Sequence, residues 1–327
     1  MRFFFSLIFV LTLASAGVGY DWLNRPMEMP SAGVDLSIEP GVSAKDVAAS
    51  VTQAGVRVQP VLLYGWFRMS GQSRQIKAGS YELDAQTTPR SLLRKLVQGD
   101  EALRSVTLVE GWTFKQFLQA LSKAQALQDD ATSLSTEALM VRLGKPGVQP
   151  EGQFFPDTYT YAKGSSDIAI LQRAMRAMDK KLDAAWASRS ANSVLQTPKQ
   201  ALILASIVEK ETGTSSDRAQ IAAVFSNRLR IGMRLQTDPT VIYGLGDRFD
   251  GNLRKVDLTT DTPWNTYTRV GLPPTPISMP GKAALLAAVQ PAESKALYFV
   301  ARGNGSSQFS ATLDEHNRAV NKYQRGQ

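Results

Sequence analysis

The sequence predicts an α+β protein in three parts: an N-terminal membrane helix, a small α+β module, and a larger α+β domain with a glutamate at the end of an apolar helix. Three observations predict it. Phe3 to Tyr20 is uncharged and mostly apolar. Helical periodicities then alternate with short strand and turn signals. Ala201 to Thr212, ALILASIVEKET, is an apolar helical run closed by Glu209 and Glu211. The parts are set at 1–22 for the cytoplasmic tip and anchor, 23–34 for a linker, 35–100 for the module and 101–327 for the larger domain.

At about 1.5 Å per residue, Phe3 to Tyr20 spans a bilayer as a short or slightly tilted helix. Arg2 and the terminal amine stay inside, which puts the rest of the chain across the membrane. Ala14-Ser15-Ala16 also fits a signal-peptidase pattern, so a cleaved leader stands beside the anchor as an alternative. Arg25 to Gly33, with two prolines and no period, reads as connector. In the module, Ser43 precedes a short amphipathic helix and Val58 to Ser70 is a helical stretch. IKAGSYELDAQTTPRSLLRKLVQG then reads as strand, turn and helix. Ser105 to Glu110 is a strand, followed by Trp112 and a helix carrying Phe114, Phe117, Leu118 and Leu121. Residues between about 125 and 150 show no readable pattern. Leu297 to Ala301 and Gln308 to Ser310 flank Gly303-Asn304-Gly305 as a hairpin, and a last helix starts near Thr312.

The apolar run begins at Thr197-Pro198, a capping hydroxyl before a proline at the first helical position, and stops near Gly213. At about 100° per residue, Glu209 shares a stripe with Leu202, Ala205 and Ser206, whereas Glu211 lies with Leu204, Ile207 and Val208. The small stripe leaves room for a ligand beside Glu209; the large one reads as core. A carboxyl against an apolar wall holds its proton and suits a general acid. The plainer alternative is a pair of helix-end charges reaching water. A second amphipathic helix follows, capped by Ser215 or Ser216, with Ile221, Val224, Phe225 and Leu229 inward and Asn227 and Arg228 on it. Asp238 is expected to cap a helix opening at Pro239, with Gln236 and Thr237 on the loop before it.

EGQFFPDTY (Glu151 to Tyr159), ASIVEKET (Ala205 to Thr212), FSNRLRIGMRLQTDPTVIYGLG (Phe225 to Gly246), NTY (Asn265 to Tyr267), GLPPTPISMPG (Gly271 to Gly281) and EHN (Glu315 to Asn317) occur in that order. In this the chain resembles the endolytic murein transglycosylases, the MltG or YceG-like family, over most of its length. The resemblance implies cleavage of the β-1,4 bond between N-acetylmuramic acid and N-acetylglucosamine in peptidoglycan glycan strands, without water, leaving a 1,6-anhydro end. It implies Glu209 as the catalytic acid and base, and a retained single-pass anchor in the bacterial inner membrane. It also implies a LysM-like module over the 35–100 region that binds glycan or sets a distance, and work beside penicillin-binding proteins. The cleft residues expected around the acid are Asn227, Gln236, Tyr243, Asn265 and Tyr267, which combine compact or flat contact with hydrogen bonding. Tyr243 reads equally as core, and Asn265 as a residue that turns the chain. Pro273, Pro274, Pro276 and Pro280 stiffen the loop that walls the cleft. His316, the only histidine, reads as structural; with no cysteine and no second histidine, neither a metal site nor a cofactor is expected.

At 327 residues and 43% hydrophobic, the chain is long enough for about two domains with cores. Its net charge of +8 favours acidic partners. No dense basic run with interleaved aromatics points to nucleic acid. Stem-peptide carboxylates and anionic lipid headgroups satisfy the same charge. The competing readings are a non-catalytic glycan-binding protein of the cell wall and a hydrolytic muramidase.

Overall fold

A computed structural model describes residues 15–30, 33–211 and 216–326. The chain divides into two compact units, one ending at Arg104 and taking in Thr160–Ser165, the other made of Ser105–Tyr159 and Ser166–Gln327. Most of the apolar N-terminal segment, along with Gly213 and Ser215, lies outside the described residues. Among the described residues no helix is long and apolar enough to cross a membrane.

The first unit holds α1 (residues 15–24), β1 (Val34–Ile38), α2 (Ala44–Gln53), α3 (Pro60–Met69), β2 (Gly79–Leu83) and α4 (Pro89–Gln98). Strands β1 and β2 pair antiparallel, from Val34 opposite Leu83 to Ile38 opposite Gly79. Strict alternation in VDLSI turns Val34, Leu36 and Ile38 inward onto Val47, Val51, Leu63, Phe67 and Leu92. Ser43 caps α2 by accepting from the Asp46 amide, and Pro60 opens α3. Thr88 and Ser91 form a reciprocal capping box ahead of α4, which closes at Gly99 in the left-handed region. Strand β1 goes beyond the sequence reading, which ran the linker to residue 34. Part of that linker is also helical, since α1 continues to residue 24.

Strands β3 (Leu103–Thr107) and β4 (Thr158–Ala162) pair as a two-stranded sheet. The second unit contains α5 (Phe114–Ser122), α6 (Thr136–Arg142), α7 (Asp167–Ala187), α8 (Pro198–Glu211), α9 (Arg218–Arg230), α10 (Asp238–Leu245), α11 (Lys255–Thr259), α12 (Lys282–Val289), the β5–β6 hairpin (Tyr298–Ala301, Ser307–Ser310) and α13 (Leu313–Val320). Helix α8 is the axis of this unit: every residue from Ala201 to Val208 is buried, and α7, α9, α10 and α12 pack around it. A helix apolar on all sides is one enclosed on all sides. Each of its large aliphatic side chains contributes roughly 1.5–3 kcal/mol by leaving water. The Thr197 hydroxyl accepts from the Gln200 amide and sets the start of α8.

Two capping expectations are corrected. Asp217 holds the cap position of α9, but its carboxylate accepts from the Ser307 amide at 2.6 Å instead of closing its own helix. Thr237, not Asp238, holds the cap position of α10; Asp238 is already helical and accepts from the Tyr267 hydroxyl. The hairpin packs against α9 and α13, and α8 is surrounded by helices.

Candidate functional site

Two residues along a helix is about 200° around it, so Glu209 and Glu211 leave the end of α8 on opposite faces. Glu209 follows the stripe of Ala205 and Ser206. The space those small residues leave is filled by protein: the Ser206 hydroxyl accepts from the Ile277 amide at 3.0 Å, and the Ser206 carbonyl accepts from the Ser278 hydroxyl at 3.0 Å. The proline-rich loop thus lies directly on the small stripe. Its end brings the Gly281 amide to 2.9 Å from Glu209 Oε2, and Arg218 Nη2 stands 3.7 Å from Oε1. The Glu209 side chain is only 7% exposed. Burial pushes its carboxyl up from the ordinary value; the Gly281 amide opposes this, Glu110 adds to it, and Arg218 and Lys210 oppose it.

Glu211 faces a cleft of about 500 Å³. Arg228, Gln236, Asp238 and Tyr267 line it from one side, and Tyr298, His316 and Asn317 come from the hairpin and α13. Glu209 is not among the lining residues. The Thr237 hydroxyl donates to Glu211 Oε1. Burial raises the Glu211 carboxyl above its usual range; the Thr237 bond opposes this, Asp238 reinforces it, and Arg228 opposes it. The cleft therefore holds a carboxyl biased toward its protonated form, beside an amide, a phenol and a second carboxylate.

The loop before α10 is built to present these groups. Arg228 is 7% exposed, and it donates from Nε to the Leu297 carbonyl and from Nη1 to the Leu235 carbonyl, both at 2.7 Å. The next residue, Gln236, sits at φ +49°, a left-handed conformation that costs a non-glycine residue about 1 kcal/mol or more. Thr266 holds it there: its carbonyl accepts from the Gln236 amide, and its hydroxyl accepts from the Thr237 amide, each at 3.1 Å. Strain of this kind persists where the surroundings over-determine it, and such positions cluster at binding sites.

Of the five expected cleft residues, the structure brings Gln236 and Tyr267 to Glu211. Tyr267 donates to Asp238 Oδ1 at 2.6 Å. The other three do not line this cleft and make contacts within the fold. Asn265 is fully buried; its amide donates to the carbonyls of Asp257, Leu258 and Thr260, and its Oδ1 accepts from the Tyr267 amide. It turns the chain so that Tyr267 reaches the cleft. Asn227 donates to the carbonyls of Ser294 and Ala296 and accepts from Arg230, which uses both ends of its side-chain amide. Tyr243 packs edge-on to Trp264 at 5.6 Å and hydrogen-bonds Glu151. Glu209, the expected acid, lies on the opposite face of α8, against Gly281 and Arg218.

The sequence marks Arg228 only as a residue of α9 and Asp238 only as a cap, and it gives no role to Asn317 or to the buried Glu151. Each lies in one of the ordered motifs, but no local pattern marks its environment. Glu151 is 6% exposed, accepts from the Phe114 amide and pairs with Tyr243; burial raises its carboxyl to about 7. Among the described residues no group of three or more histidine, aspartate or glutamate side chains is placed to hold a metal ion.

Comparison with known proteins places this architecture. The profile of the YceG-like family matches residues 36–322. An endolytic murein transglycosylase of Bacillus subtilis (strain 168) is 31% identical over 322 residues, covering 92% of this chain and 88% of the relative. An endolytic murein transglycosylase of Streptococcus pneumoniae is 27% identical over 358 residues, covering 97% of this chain and 64% of that longer protein. A crystal structure of a yceG-like protein from Listeria monocytogenes superposes with a TM-score of 0.55 at 28% identity, over 87% of this chain and 98% of the other.

Proposed function

We propose, from the premise that the chain belongs to the YceG-like family, that it is a peptidoglycan lytic transglycosylase whose acid and base is Glu211. One observation carries the residue assignment: Glu211 opens onto the same cleft as Gln236 and Tyr267, while the Glu209 carboxylate meets Gly281 and Arg218; burial raises both carboxyls and does not separate them.

Protonated Glu211 donates to the oxygen joining muramic acid to glucosamine as C1 of the muramic ring takes on oxocarbenium character. The C1–O bond breaks and the glucosamine leaves with the proton as its hydroxyl. Glu211, now a carboxylate, takes the proton of the muramic C6 hydroxyl, and that oxygen bonds to C1 to give the 1,6-anhydro ring. The carboxyl ends protonated, ready for the next turnover, and no water enters. Burial keeps the proton on Glu211 for the first half; the Thr237 hydroxyl and the Arg228 charge stabilise the carboxylate between halves. Gln236 and Tyr267 hold the sugar rings and acetamido groups on the near wall.

Cutting within nascent strands would limit glycan length. The uncharged run from Phe3 supports a single-pass anchor in the inner membrane, with the rest of the chain outside the cytoplasm, where its substrate is. The β1-α2-α3-β2 order of the first unit supports the LysM-like reading, in which this unit binds glycan or fixes the height of the cleft. Work beside penicillin-binding proteins follows from the family resemblance.

The test is mass spectrometry of isolated peptidoglycan after incubation with the protein. Anhydro-muramic ends are expected. Reducing ends would make the protein a muramidase, and no new ends with retained glycan binding would make it a binding protein.

A further inference from the structure

His316 reads in the sequence as a structural histidine. Its surroundings in the structure go further. It lies on α13, whose start is fixed by the Thr312–Glu315 capping box, and it lines the Glu211 cleft on the wall built by α13 and the hairpin. Its ring stacks on Tyr298, with centroids 5.2 Å apart and planes 22° apart. The Arg228 guanidinium carbon stands 5.3 Å from the centroid of the same Tyr298 ring. His316 Nδ1 is enclosed and has no hydrogen-bond partner.

An enclosed N–H without an acceptor is among the rarest features of folded proteins, and a bare lone pair is tolerated more often. The favoured tautomer therefore leaves Nδ1 unprotonated and carries the hydrogen on Nε2. Burial, with Arg228 adding to it, lowers the pKa of the ring and favours the neutral imidazole. A neutral imidazole with one nitrogen shut away has a single directed donor left. The stack on Tyr298 fixes the ring plane, so that donor comes pre-oriented and little rotamer freedom is lost when it is used.

We propose that His316 is a glycan-binding residue whose Nε2–H donates to an acetamido carbonyl or hydroxyl oxygen of the strand, across the cleft from Glu211. Together with Gln236 and Tyr267 it would grip the strand from two walls, with the scissile bond held at the carboxyl between them. This rests on the glycan-cleaving reading of the same cleft and adds a residue whose effect is on substrate binding.

The single histidine makes the test direct, because the full chain in detergent gives one set of imidazole signals. The Glu211→Gln protein, labelled with ¹⁵N, is titrated with a peptide-free tetrasaccharide of alternating N-acetylglucosamine and N-acetylmuramic acid. The Nε2–H signal is expected to move and to saturate with the ligand. In parallel, His316→Phe keeps the stack on Tyr298 and removes the donor, while His316→Gln keeps a donor. The Phe variant is expected to melt as the unsubstituted protein does and to show KM for glycan strands raised about tenfold with a smaller change in kcat, as loss of one hydrogen bond implies. The Gln variant is expected to recover part of that loss. Imidazole signals that stay put at saturating tetrasaccharide, or a Phe variant that cuts with unchanged KM, would overturn the proposal. If the unsubstituted protein makes no new glycan ends while the imidazole signal still moves, the cleaving reading fails and the binding role of His316 stands.

Discussion

Thr237 donates its hydroxyl to the carboxylate of Glu211, tying the last residue of α8 to the cap residue of α10. The bond favours the charged form of Glu211 and works against the burial that favours the neutral form. Thr237→Val is therefore expected to raise the Glu211 pKa. The alkaline limb of the kcat/KM profile should move to higher pH, because the acid keeps its proton longer. At the optimum, kcat/KM should fall about tenfold, since the intermediate carboxylate loses a hydrogen bond worth about 1.5 kcal/mol. A pH–rate series on purified strands reads both effects.

Asn265 closes four hydrogen bonds in a site with no access to water. Asn265→Ala strands three carbonyls and the Tyr267 amide, and is expected to destabilise the second unit by about 2–4 kcal/mol. Urea unfolding measures it. Activity per folded molecule should drop too, because Tyr267 loses its anchor.

Glu151 links stability to pH. Its folded pKa of about 7 stands above the ordinary 4.5, so the folded state holds this proton more tightly than the unfolded chain does. The resulting stabilisation is complete below about pH 4.5 and is lost as pH rises through about 7; over that window it amounts to about 3 kcal/mol. Glu151→Gln, which cannot ionise, is expected to flatten the unfolding midpoint between pH 4.5 and 7.5. An unchanged slope in the variant would show that other groups carry it.

Gly152, next in the chain, has φ +79°, and a Cβ there would lie 2.5 Å from the Pro276 ring. Backbone strain and collision coincide, and a proline ring cannot swing aside. Gly152→Ala is expected to cost about 2–4 kcal/mol, seen as a lowered thermal midpoint.

Much of this arrangement is legible in the residues. The Thr197-Pro198 start of α8, the Thr312 cap of α13 and the hairpin about Gly303 to Gly305 are local signals, and local geometry obeys them. Strand β1 escapes the sequence reading although VDLSI alternates strictly, because its first residue lies at the end of the segment read as linker; its pairing with β2 makes it a strand. The two glutamates show where periodicity stops. It places Glu209 on a small-residue stripe, but it cannot say whether a ligand or the chain's own loop fills the space beside that stripe. Ile277 and Ser278 fill it through Ser206. The same holds for Asn227 and Asn265, since an amide suited to a sugar is equally suited to backbone carbonyls, and the sequence does not show which of the two it meets. Gln236 and Tyr267 lie in two separate motifs, and both line the cleft that Glu211 faces.

Under the proposed mechanism Glu211, and not Glu209, carries the proton. Peptidoglycan incubated with the unsubstituted protein, with Glu209→Gln and with Glu211→Gln, each shown by melting to be folded, is analysed by mass spectrometry for anhydro-muramic ends. Such ends are expected from the unsubstituted protein and from Glu209→Gln, the latter with a lower melting temperature because Gly281 and Arg218 lose their carboxylate partner, and none from Glu211→Gln. Anhydro ends from Glu211→Gln together with their absence from Glu209→Gln would contradict that mechanism.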